Sequence, residues 1–218
     1  MAQSCHVGRA RCCVFTDGRV RKHRNSPAYG SKHCAMRSVY QLEISLKDVS
    51  PRVWRSVLIP GDFTLAQVQE ALLTAMGWEG CHLYSFSIEN STYVEDTYDW
   101  PEASIDPGAV RLGDLVAPGD EFEFHYDFGD GWEHRIIVTD RLPTAGRIRP
   151  TCIAGQGACP PEDVGGPWGY ANFLRAIADP QHDRHAELLE WCGGRFDAQA
   201  FEVQEVDRVF ARLHSASA

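Results

Sequence analysis

The sequence predicts an α+β fold, with a mixed or largely antiparallel sheet, helices packed on one face and a C-terminal helical portion. Three observations carry this. Short alternating strand patterns crowd residues 40–140, one capped helical pattern interrupts them early, and three helical patterns close the chain. At 218 residues, 44% hydrophobic and 11% aromatic, the chain is long enough to bury a substantial core.

In "YQLEISL", Tyr40, Leu42, Ile44 and Leu46 share one face, as in a half-buried strand. "SPRVWRSVLIP", set off by Pro51 and Pro60, is a second strand whose connection is short enough for antiparallel pairing. Asp62 or Thr64 caps a helix through "LAQVQEALLTAMG", with Leu65, Val68, Leu72 and Met76 on one face and Gly77 as its stop. "HLYSFSI" is another strand, and "STYVEDTYDWPEASIDPGA" is a polar surface loop. "EFEFHYDFGDGWEHRIIVTD" is a hairpin. After it, "LPTAGRIRPTCIAGQGACPPEDVGGP" is a long Gly/Pro-rich loop of the kind that is functional or tightly tethered. Helices follow in "WGYANFLRAIA", "QHDRHAELLEWC" and "AQAFEVQEVDRVFARL", the last with Asp197 as its N-cap.

Residues 1–37 carry eight Lys/Arg against the single acid Asp17, and four of the eight cysteines. They are expected to form a basic, Cys-rich extension, disordered or arising from a mis-assigned start, with residues 38–214 as a single domain beginning near Met36. A zinc arm built from Cys5, His6, Cys12, Cys13, His23, His33 and Cys34 would lack the usual Cys-x-x-Cys pair. The rest of the chain is strongly acidic, so a nucleic-acid phosphate backbone would be repelled except through the N-terminal arm. No stretch approaches the roughly 18 apolar residues of a membrane helix, and no signal-peptide core is visible, so a cytoplasmic protein with reduced thiols is expected.

The hairpin gathers chemistry-bearing residues. Phe122, Phe124 and Tyr126 alternate with Glu121, Glu123, His125 and Asp127. A two-residue turn at Asp130-Gly131 sets Asp127 opposite His134, and a four-residue loop sets His125 opposite His134. Either register places His125, Asp127 and His134 on one face beside Trp132, and only a one-residue shift splits them. Two imidazoles and a carboxylate suit a divalent metal or acid/base chemistry. The alternative is structural, because a cross-strand Asp-His pair contributes up to about 1 kcal/mol to a hairpin without any ligand. "DFG" stands alone here, with none of the other kinase motifs beside it.

The second constellation is "CIAGQGACPPEDVGGPWGY". Cys152 and Cys159 could be two corners of a metal site completed by His182 and His185. Pro160 and Pro161 stiffen the chain before Glu162 and Asp163, and Gly165, Gly166 and Pro167 lead into a helix. Otherwise the segment is a rigid turn capped by Asp163.

"YQLEISLKDVSPRVWRSVLIP", "YDFGDGWEHRI" and "CPPEDVGGPWGYANFL", in that order and followed by "EWCGGRFDAQAF", resemble the plasmid pRiA4b ORF-3-like family over about residues 38 to 213. The family pattern matches at Trp54, Arg55, Asp127, Gly129, Asp130, Trp132, His134, Pro160, Pro161, Glu162, Asp163, Gly165, Gly166 and Tyr170. The resemblance implies an α+β protein found on plasmids and beside insertion sequences, and it carries no biochemical activity across. The resolvase label of some relatives finds no arginine cluster or helix-turn-helix here.

Two functions are therefore in view. One is a non-catalytic interaction module linked to mobile elements, binding a protein partner through Asp127, Asp130, Trp132, Glu162, Asp163, Trp168 and Tyr170, with Trp100 as a further anchor. The other is a divalent-metal-dependent hydrolase or nuclease, with His125, Asp127 and His134 as ligands and Glu162 or Asp163 activating water. No cofactor beyond such a divalent ion is expected, and no membrane.

Overall fold

A computed structural model describes residues 37–95, 104–146 and 148–215. The readings for the N-terminal extension and for Trp100 lie outside the described residues.

Strand β1 (Arg37–Leu46) pairs antiparallel with β2 (Trp54–Pro60), Tyr40 opposite Ile59 and Leu42 opposite Val57. The alternation in β1 is used as expected, with Tyr40, Leu42, Ile44 and Leu46 all buried. Helix α1 (Leu65–Met76) starts at a capping box in which the Gln67 amide donates to Thr64 Oγ1 and the Thr64 amide to Gln67 Oε1. Such a cap stabilises a helix by about 1 kcal/mol. The helix ends at Gly77, whose φ of 96° is left-handed.

Next come β3 (Tyr84–Ile88), β4 (Ser91–Tyr93), the short α2 (Leu112–Leu115), β5 (Glu121–Tyr126), β6 (Trp132–Thr144) and β7 (Thr151–Gln156). Together they make one seven-stranded antiparallel sheet, in the order β4-β3-β5-β6-β1-β2-β7. Helices α3 (Gly166–Ala178), α4 (His185–Trp191) and α5 (Val203–Ser215) complete the chain. The helices pack on one face, and the core lies between them and the sheet.

Three expectations need correction. Ser91–Tyr93 forms a short strand within the expected polar loop. Thr151–Gln156 forms an edge strand inside the Gly/Pro-rich segment, where Gly155 is needed because a Cβ there would sit 2.6 Å from the Phe201 ring and 2.8 Å from the Trp54 carbonyl. Finally, α5 begins at Val203, and Asp197 accepts from the Gln199 amide in a separate turn.

Buried Arg55 holds this end of the fold together. Its guanidinium donates to the carbonyls of Trp54, Ala75, Gln156 and Gly157 and lies 3.9 Å from the Phe201 ring centre. Among the described residues, no helix is long and apolar enough to cross a membrane.

Candidate functional site

The site is assembled by the β5–β6 turn, the bend before β3, and the Pro160–Gly166 segment. Tyr126 pairs with Trp132, leaving a five-residue connection from Asp127 to Gly131. Asp127 adopts a φ of 54°, its Oδ1 accepts from the Gly129 and Asp130 amides, and its carbonyl accepts from the Gly131 amide. These bonds give Asp127 a structural role in the turn.

The odd loop length changes the parity of the hairpin. His125 lies opposite Glu133 on the polar face, whereas His134 lies opposite Phe124 on the core face. The expected His125/Asp127/His134 face is therefore divided by the single shift that separates them. His134 is fully buried against Trp78 and Phe124, its Nδ1 is 3.1 Å from the Phe124 carbonyl oxygen, and burial lowers its pKa to about 4. His125 packs edge-on to Phe128.

The same register buries Trp132 completely, beside Trp78 and among the core aromatics. Tyr170 is 1% exposed, and burial pushes its hydroxyl up to about 12. Neither offers a side chain to a partner, because both belong to the core face. Trp168, 80% exposed on the first turn of α3, does.

The Pro-Pro-Glu-Asp segment comes down onto the hairpin turn. Trp78 Nε1 donates to the Pro160 carbonyl at 2.9 Å, and the Gly165 amide donates to Asp130 Oδ2 at 3.0 Å. Gly166 sits so close to the Asp130 backbone that a Cβ would lie 2.1 Å from its carbonyl oxygen. Glu162 is fixed at two points, its Oε1 accepting from the Glu79 amide at 2.8 Å and from the Tyr126 hydroxyl at 3.2 Å. Burial, with Glu162 and Cys81 nearby, raises the Tyr126 hydroxyl well above its ordinary range, so it remains a donor.

At the centre is His82, which the sequence reading passed over. Its Nε2 lies 3.3 Å from Asp163 Oδ1, 3.6 Å from Glu162 Oε2 and 3.7 Å from Asp127 Oδ2. That nitrogen is buried and makes no hydrogen bond among the described residues. The one sequence signal was Cys81-His82, two neighbouring ligand types after Gly80. Two overlapping sets, Cys81/His82/Glu162 and His82/Asp127/Asp163, each have their ligand atoms within 4.8 Å of one another and could hold a divalent cation.

Cys152 and Cys159 stand apart from both sets. Cys152 is buried on β7 with its Sγ toward the Ala154 carbonyl, and burial raises both thiols. His185 Nδ1 is bonded to the Ala176 carbonyl, and His182 lines a groove between α3 and α4. That groove, of roughly 890 Å³, opens beside Asp163 and is also lined by Phe173, Arg175, Arg184 and Trp191.

A family model described as plasmid pRiA4b ORF-3-like protein matches residues 38–205. An uncharacterized protein of Sinorhizobium fredii is 41% identical over 174 residues, covering 78% of this chain and 90% of that protein. A crystal structure of a protein of unknown function from Methanosarcina mazei superposes with a TM-score of 0.72 at 29% identity, covering 78% of this chain and 98% of that one.

Proposed function

We propose, for a chain that belongs to the plasmid pRiA4b ORF-3-like family, the role of a recognition module for a protein partner, organised by a divalent cation bound at His82, Asp127, Glu162 and Asp163. One observation carries the reading: three carboxylate oxygens from two segments surround an imidazole nitrogen that makes no hydrogen bond among the described residues. Ligands bound at about 2.0–2.2 Å to a four-coordinate ion stand about 3.3–3.6 Å apart, close to the spacing found around His82 Nε2. The hydrogen bonds behind the carboxylates support it too, since Glu79, Tyr126 and the turn amides hold them before any ion arrives.

The partner surface is the neighbouring groove. Trp191 lines it and Trp168 stands on the first turn of α3, supplying the exposed aromatic area that anchors interfaces. A bound cation would complete this surface by joining the hairpin to the segment that leads into α3. Equilibrium dialysis of the full chain against zinc and manganese, followed by elemental analysis, tests the ion. Retention of about one divalent ion per chain, with partner capture abolished by a chelator, is expected. A metal-free chain whose capture ignores the chelator would remove the reading.

A second reading, a divalent-metal-dependent hydrolase, is favoured by the exposure of Asp163, whose side chain is 72% accessible and leaves one side of the site open toward the groove. The chemistry such an ion supplies is a water acidified to near neutral pH. His82, Asp127 and Glu162 would hold the ion, and Asp163 would accept the proton. A hydrolysis screen with manganese or magnesium, comparing Asp163→Asn with the parent chain, separates the two. Activity lost in that variant with cation binding retained would favour catalysis.

A further inference from the structure

We infer that Cys81 is a ligand of this site and that the site therefore takes a thiophilic cation of the zinc class in preference to magnesium or calcium. This rests on the cation reading above and deepens it by naming the ion. The thiol is exposed and free, and its sulfur shares a cluster with His82 and Glu162 in which all ligand atoms lie within 4.8 Å. Neighbouring residues of an extended strand point to opposite sides, so Cys81 and His82 would not meet in β3 itself. They precede it, at a bend after Gly80, whose φ is 78°, and the bend turns both toward Glu162.

The carboxylate they meet is already oriented. Glu162 Oε1 is held by the Glu79 amide and the Tyr126 hydroxyl, and Oε2, 3.4 Å from the same hydroxyl, lies 3.6 Å from His82 Nε2. Thiolate, imidazole and carboxylate then provide three different donors, while Asp127 and Asp163 meet the same imidazole as a second set. A donor set of sulfur, nitrogen and oxygen suits tetrahedral zinc, whereas magnesium and calcium need cages of oxygen alone. A zinc–sulfur bond of about 2.3 Å asks the sulfur to move inward, which an exposed side chain does by rotating about χ1. Binding deprotonates the thiol, the proton passing to solvent as the sulfur–metal bond forms.

Cobalt(II) is the probe, because it reports its ligands optically. The full chain and Cys81→Ser are titrated with cobalt and compared as a difference spectrum, since the other thiols are common to both. Wild type is expected to show a near-ultraviolet sulfur-to-cobalt charge-transfer band that Cys81→Ser lacks, and zinc affinity should fall at least about tenfold in the variant. Cobalt binding with identical spectra in the two proteins would overturn the ligand assignment while leaving the cation site standing. Failure of the full chain to bind cobalt, zinc or manganese would overturn both. Far-ultraviolet circular dichroism of the exposed-site variant checks that the fold is unchanged.

Discussion

His134 is a neutral imidazole enclosed by aromatic rings, and its Nδ1 faces a backbone carbonyl that a ring N–H satisfies. Burial lowers its pKa to about 4, against about 6.5 in an unfolded chain. On acidification the unfolded chain takes up the proton first. The stability at stake is thus fully present above pH ~6.5 and is lost as the pH falls toward 4, by about 3 kcal/mol in all. Urea unfolding from pH 7 to 4 should show the midpoint falling, and His134→Leu should flatten that dependence. An equally steep fall in the variant would assign the acid sensitivity to other groups. Tyr126 gives a second test at this scale, because its hydroxyl orients Glu162 from outside the ligand set. Tyr126→Phe should weaken cation binding by about tenfold or more in a calorimetric titration, with only a small change in melting temperature.

Among the elements, what could be read in advance depended on whether the signal was local. Helix α1 carries its own start and stop in Thr64, Gln67 and Gly77, so its limits were legible. The β1 alternation was equally plain, because one face of the strand is entirely buried. Strand β7 was hidden, since Gly155 and Ala154 suggest a loop and only the approach of Phe201 explains the glycine. Hairpin parity was hidden too, for "DFGDG" allows several loop lengths and one extra residue exchanges the faces of every following side chain. Of the candidate site, Asp127, Glu162 and Asp163 were found from sequence, while His82 was missed because its partners are brought to it from 45 and 80 residues away along the chain. The contact between Gly166 and the Asp130 backbone ties these elements together. Gly166→Ala places a Cβ on a residue with φ of 69° and against a carbonyl, and should cost at least about 2 kcal/mol in chemical denaturation. The same variant should lose cation binding, since the segment holding Glu162 and Asp163 would be lifted off the turn.

Across the whole molecule, the antiparallel sheet divides the tryptophans into two roles. Trp132 belongs to the core and Trp168 to the surface. Trp132→Ala should destabilise the domain by about 3–5 kcal/mol, as removal of a buried aromatic does. Trp168→Ala should leave the melting temperature within a degree or two and weaken partner capture. The pattern reverses if Trp168 supports the fold, in which case its loss lowers the melting temperature and leaves capture unchanged. Asp127, Glu162 and Asp163 converge on His82 where the hairpin turn and the Pro-Pro-Glu-Asp segment meet, and a cation at that junction would join the sheet to the helical face. Calorimetric titration of zinc into the full chain and into His82→Ala tests this most directly. Saturation at about one ion per chain in the domain, lost in His82→Ala with the fold retained, is the predicted result. Equal binding in both proteins, or none in either, would contradict it.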